Sequence, residues 1–203
     1  MRILFASSEL APFAQTGGLG EAVRGLALAL AARGHEVECL LPGYARALAH
    51  PDCPPLTPSG ELRVALPGGA LDGRCFSGAL AQGVRVTFFD LPALYQRAGL
   101  YGYDDDPLRF LVFSRAAAYR AESASADVLV AHDWHAAMSI ERAAVQRTNS
   151  TELPRLPVPE RLPAGPVFPD AGAAEDHDCR AHGPRAQRFF RLGVFEQEAN
   201  AAH

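Results

Sequence analysis

Lysine is missing altogether: the 19 basic residues of this 203-residue chain are all arginine. With so much alanine beside it, the absence marks a biased codon usage and carries no functional reading. A surplus of positive charge is also lacking. The formal net charge is −4, which leaves no electrostatic footprint for a nucleic-acid partner. Cysteine is sparse, and Cys39, Cys53, Cys75 and Cys179 form no CxxC pair. That argues against a disulfide framework or a zinc knuckle and fits a reducing cytoplasm. No stretch approaches the roughly twenty apolar residues of a membrane span, so no membrane partner is expected. The opening MRILFASSELAPFA is interrupted too soon by Ser7, Ser8 and Glu9 to read as a signal peptide. Internal repeats are absent as well.

What remains is an ordinary globular composition, 48% apolar, enough for one large domain or one domain with a tail. Ile3 to Ala6 read as a short buried strand. A glycine loop follows, then Val23, Leu26, Ala27, Leu30 and Ala31 at helical spacing, with Gly34 placed as a helix stop. VECLLP reads as a second strand, and strand–helix–strand implies parallel pairing. The proline- and glycine-rich stretch from Cys53 to Gly73 is expected to hold short irregular pieces. ELRVALP, GRCFSGAL and VRVTFFD are further strand candidates of hairpin character. DDDPLRFLVFSRAAAYRAE predicts a well-buried helix capped by Asp106, with Pro107 at its first position. Val128 to Ala131 read as a strand running into the polar cluster of AHDWHA and a following helix.

Near Ala143 the character changes. The chain divides into residues 1–142, an α/β domain with a Rossmann-like, mostly parallel sheet and flanking helices, and residues 143–203. The second part, rich in proline and without periodicity, predicts a disordered or frame-disrupted irregular tail. RAQRFFRLGVFEQEA within it is a candidate short helix broken at Gly193.

Two clusters carry chemistry. In FAQTGGLGEAVRG, Gly17, Gly18 and Gly20 fall at a strand-to-helix turn. Glycines there admit a ligand to bare backbone, and the helix start behind them offers unpaired N–H groups suited to phosphate. GGLG is not GxGxxG, and no acidic residue ends the second strand, so a dinucleotide-binding oxidoreductase fits poorly. A tight turn serving only strand–helix packing is the bland alternative. The second cluster is His132, Asp133, Trp134 and His135 at the carboxyl end of a predicted parallel strand. Ligands of open α/β sheets lie outside such ends, and the glycine loop faces the same crevice. Trp134 offers a ring face to a sugar, and Asp133 accepts hydrogen bonds from hydroxyls. A metal site on His132, Asp133 and His135 competes, as does a purely packing role for His132.

TGGLGEAV, LYQRAGLYGYDDDPLRFLVFSRAAA and DVLVAHDWHAA, in this order, resemble the N-terminal domain of bacterial glycogen synthase and plant starch synthase. That family carries KTGGLGDV, DxxxxRFxxFSRAA and HAHDWHA. The resemblance runs to about Arg142. It implies one half of a two-domain GT-B glycosyltransferase that transfers glucose from ADP-glucose to an α-1,4-glucan, with retention and without a metal or other cofactor. It implies that Gln15, Thr16, Gly17, Gly18, Leu19, Gly20 and Glu21 approach the donor and acceptor. It further implies that Tyr95 lines the cleft, that His132 and Trp134 contact substrate, and that Asp133 and His135 are catalytic.

The chain also departs from the family. Gln15 replaces a lysine that contacts the donor, so donor affinity should fall. Glu21 replaces an aspartate, and the family's next motif, a strand ending in histidine–asparagine, does not follow HDWHAA. The expected partners are ADP-glucose, glycogen, and a complementary C-terminal domain or a full-length synthase. By itself the chain is expected to be inactive. A glucan-binding or regulatory module without catalysis is the alternative from another class.

Overall fold

The apolar run at the amino end becomes the centre of the sheet. A computed structural model describes residues 1–66 and 68–148. Strand β1 (Arg2–Ser7) is buried at every position after Arg2, as a strand covered on both faces must be. It pairs in parallel with β2 (Glu36–Pro42) on one side and with β6 (Val128–His132) on the other. Helix α1 (Leu19–Ala31) links β1 to β2. It ends in a Schellman arrangement, with Gly34 N–H donating to Ala31 O and His35 N–H to Leu30 O. Gly34 sits at φ +84, the left-handed conformation that a helix stop of this kind requires.

Beyond β2 the chain runs through a single turn, α2 (Ala45–Leu48), to the sheet edge. There β3 (Thr57–Leu66) and β4 (Gly69–Ala79) form an antiparallel pair. A 3-10 turn at Ala81–Gly83 returns the chain into β5 (Arg85–Asp90), antiparallel to β4 and parallel to β2. The order is β3-β4-β5-β2-β1-β6. The expected parallel sheet and the hairpin character of the middle strands are therefore both present. The irregular reading of Cys53 to Gly73 is corrected, because Thr57 to Leu66 is one strand with Leu62 and Val64 buried between exposed neighbours. Pro58 is tolerated because β3 is an edge strand, with a register shift between Pro58 and Gly60.

After β5 come the turn α3 (Pro92–Tyr95), the long helix α4 (Asp106–Ser123), β6, and α5 (Trp134–Thr148). The crossover through α1 steps from β1 to β2, and the one through α4 steps to the opposite side of β1. Right-handed crossovers therefore place α1 and α4 on opposite faces. As expected, α4 is largely buried: Phe110, Val112, Phe113, Ala116 and Ala117 all lie in the core. Its start differs by one residue. Asp105 holds the cap position without a side-chain cap bond, and Pro107 is the second helical residue. Asp106 is freed for another task. Its Oδ2 accepts from the N–H groups of Gly102 (2.8 Å) and Tyr103 (3.2 Å), while Oδ1 accepts from Arg109.

Helix α5 continues past residue 142 to Thr148. The irregular tail and the short helix near Gly193 fall outside the described residues from 149 onward. Among the described residues no helix is long and apolar enough to cross a membrane.

Candidate functional site

The connection leaving β1 turns toward β2, while β6 lies on the other side of β1. A crevice therefore opens at the carboxyl ends of β1 and β6, where strand order reverses. The register pairs Ser7 with His132, so the residues following Ser7 and those following His132 emerge side by side.

On the β1 side lies the glycine loop. Thr16, Gly17 and Gly18 are exposed. Gly18 occupies the cap position of α1 without a side-chain cap, which leaves first-turn N–H groups directed outward. A Cβ on Gly17 would meet nothing within 4 Å, so that glycine leaves open space for a visitor. Gln15 folds over the loop and donates to Gly17 O at 3.2 Å. Glu21 is exposed on α1. Leu19 and Gly20 sit lower. Leu19 packs on the core, and a Cβ on Gly20 would lie 3.0 Å from Ala11 N. Gly20 thus serves strand–helix packing, the bland reading, while Gly17 and Gly18 line the open side.

On the β6 side, Asp133 has φ +63. This left-handed backbone turns the strand sharply into α5, and an aspartate tolerates it better than most residues do. Its side chain is 44% exposed at the crevice, and its Oδ1 accepts the Trp134 N–H at 2.5 Å. His135 is buried. It stacks on Tyr101 at 4.4 Å, meets Trp134 at 4.0 Å and takes the edge of Phe110 at 4.5 Å. Trp134 also receives Phe110 edge-on at 5.2 Å, so part of its ring is committed to packing. His132 is buried against Phe5, with Nε2 lacking a hydrogen-bond partner. Burial pushes its imidazole down to about 4. Among the described residues no group of three His, Cys, Asp or Glu side chains is arranged to hold a metal. The metal reading of His132, Asp133 and His135 therefore has no geometry behind it.

Tyr95 is corrected. It does not line the crevice but lies in the core, fully buried, with its hydroxyl donating to Arg109 O at 3.0 Å. The residue that reaches the crevice from this region is Tyr101. Its hydroxyl donates to Glu9 Oε1 at 3.0 Å and meets Ser8 Oγ at 2.8 Å. Buried Glu9 also takes the Thr16 hydroxyl on Oε1 (2.5 Å) and the Thr16 N–H on Oε2 (3.1 Å). Sequence reading passed over Glu9 and Tyr101. The available signal was an acidic residue two positions after a buried parallel strand.

A sequence model of the starch synthase catalytic domain matches residues 2–153. The chain belongs to this family. Similar curated relatives are glycogen synthases. That of Ralstonia nicotianae is 39% identical over 155 residues, 68% of this chain and 27% of the relative. That of Bacillus subtilis is 38% identical over 141 residues, 68% of this chain and 28% of the relative. The chain thus spans less than a third of the length of the glycogen synthases it matches. Among solved structures, the catalytic domain of starch synthase IV from Arabidopsis thaliana, bound to ADP and acarbose, is similar with a TM-score of 0.58 and 31% identity. That match covers 70% of this chain and 29% of the other. For this starch synthase-family chain, the matched region holds both the glycine loop and the HDWH turn.

Proposed function

We propose that this chain supplies the acceptor-side half of a retaining glucosyltransferase that moves glucose from ADP-glucose to an α-1,4-glucan in glycogen biosynthesis. The observation that carries this reading is the convergence of the open glycine loop and the Asp133 turn at one crevice between β1 and β6. In this reading the N–H groups at Gly17 and Gly18 meet the diphosphate as the glucose C1–O bond breaks and the bonding pair leaves with ADP. Gln15, Thr16 and Leu19 border that contact. Glu21, Asp133 and the Trp134 ring face the glucan, whose hydroxyl oxygen forms the new bond to C1 while its proton passes to the departing diphosphate oxygen. His135 holds the turn that presents Asp133. No metal or further cofactor takes part, because peptide dipoles meet the leaving charge. The setting we assign is the cytoplasm, in keeping with Cys39, Cys53 and Cys75, which are all free thiols.

The stretch Phe13 to Glu21 contains no basic side chain. These 203 residues tested alone are therefore expected to bind ligands without turnover, and a complementary C-terminal domain or a full-length synthase would complete the site. Calorimetry with ADP and sedimentation with glycogen test the reading. Binding of both is expected. Glycogen binding without ADP binding would make the chain a glucan-binding module, and binding of neither refutes the assignment.

A further inference from the structure

We infer that Glu9 is a positioning residue that moors the glycine loop to the aromatic cluster around His135, so that occupation of the loop is felt at Trp134. This rests on the donor reading of the loop given above.

Three donors converge on the Glu9 carboxylate, and they come from two segments far apart in the chain. Thr16, immediately before Gly17, binds through its N–H and its hydroxyl. Tyr101, from the segment before α4, binds through its hydroxyl. Glu9 is only 3% exposed, so water does not compete for these bonds and the carboxylate acts as a rigid bracket. Ser7 secures the bracket from below: its hydroxyl donates to Glu9 O at 2.7 Å and accepts from Glu9 N–H at 3.2 Å. From Tyr101 the contacts continue to His135, stacked at an interplanar angle of 22°, and then to Trp134. Beyond Thr16, Gly17 and Gly18 are exposed, and the Gln15 amide donates to Gly17 O at 3.2 Å. A ligand that draws the loop's N–H groups toward itself pulls on Thr16 and thereby shifts Glu9, Tyr101 and the rings behind it. The hydrogen bonds of the Glu9 carboxylate run to Thr16 and Tyr101. It acts through Thr16 and Tyr101.

The chain has a single tryptophan, so Trp134 emission reports this coupling without a label. The experiment uses the full chain, with ADP as probe, on the unmodified protein, Glu9→Gln and Tyr101→Phe. Far-UV circular dichroism establishes that each is folded. In the unmodified chain ADP is expected to bind by calorimetry and to change Trp134 emission. Tyr101→Phe keeps the ring stack but removes the bond to Glu9. It is expected to hold ADP within about threefold while losing most of the emission change. Glu9→Gln replaces one acceptor oxygen by a donor, and about tenfold weaker ADP binding is expected. Hydrogen exchange gives a readout free of ligand: the Thr16 amide should exchange about tenfold faster in Glu9→Gln. Unchanged exchange at Thr16 overturns the mooring, whatever ADP does. A full emission response in Tyr101→Phe overturns the coupling and leaves the donor reading standing. No ADP binding in the unmodified chain, with Thr16 exchange still dependent on Glu9, overturns the donor reading and the coupling but leaves the mooring intact.

Discussion

Replacing Arg109 by methionine is expected to cost about 3–5 kcal/mol, the range for breaking a buried ion pair from one side. The figure follows from what the guanidinium holds. Arg109 is fully buried. Its Nε donates to Leu94 O at 2.7 Å, and its Nη1 donates to Leu100 O at 3.0 Å and to the Asp106 carboxylate. The rings of Tyr103 and Phe110 lie 4.9 and 5.4 Å from its central carbon. Methionine fills much of the volume, but it leaves two carbonyls and a buried carboxylate without their donor. With a urea dependence of about 2 kcal/mol per molar, the midpoint should fall by roughly 2 M. The consequence reaches the site, because Tyr101 sits between Leu100 and Gly102, and both are tied to this knot. Trp134 emission in the native baseline should therefore change too. A double-mutant cycle with Asp106→Asn should show coupling above about 1 kcal/mol. A midpoint shift below about 0.5 M would refute the reasoning, since a solvated arginine would give that result.

His132 yields a pH prediction. Its imidazole is held down to about 4 from an ordinary 6.5 by burial, so the unfolded chain takes a proton that the folded chain refuses. Stability from this group is complete above 6.5, falls as pH drops through that window, and levels off below about 4, for a total of about 3 kcal/mol. Urea midpoints measured across the window should show this slope in the unmodified chain and a weaker one in His132→Gln; equal slopes count against it. Gly43→Ala is expected to destabilise by about 1–3 kcal/mol, because the new Cβ would lie 2.9 Å from Asp90 Cα. Gly17→Ala, with open space around it, should leave the melting temperature unchanged and weaken only ADP binding. Asp133→Gly relieves a φ of +63 and should be as stable as the unmodified chain or up to about 1 kcal/mol more so, with glycogen retention reduced. A large loss of stability would show that the turn is held by the Asp133 side chain instead.

Local patterns in the chain were enough to place β1, α1, β2, α4 and β6. Each is long or uniformly apolar, and each is bounded by a signal with its own chemistry: Gly34 in a left-handed turn, Pro107 in a first helical turn, a polar cluster after β6. The glycine loop and HDWH could be brought to one crevice because parallel strands send both to the same end of the sheet. Residues 57–79 were harder, since Pro58, Gly69, Gly73 and Gly78 signal turns locally. In the fold, Pro58 lies on an edge strand, and Gly73 makes room for the Phe89 ring, which would lie 2.2 Å from an added Cβ.

The sequence alone therefore determined the order of the elements, the family, and the two segments that meet at the crevice. Those properties reside in short-range patterns and in ordered motifs. Only the tertiary structure decided which side chains inside those segments face a visitor and which face the core. Tyr95 turned inward because its hydroxyl serves Arg109 O. Tyr101 took the crevice because the Arg109–Asp106 knot fixes the backbone on either side of it. Glu9 acquired its role from Thr16 and from Tyr101, which is 92 residues away along the chain. The three bonds that define that role come from two segments that only folding brings together, so no window of neighbouring residues contains it.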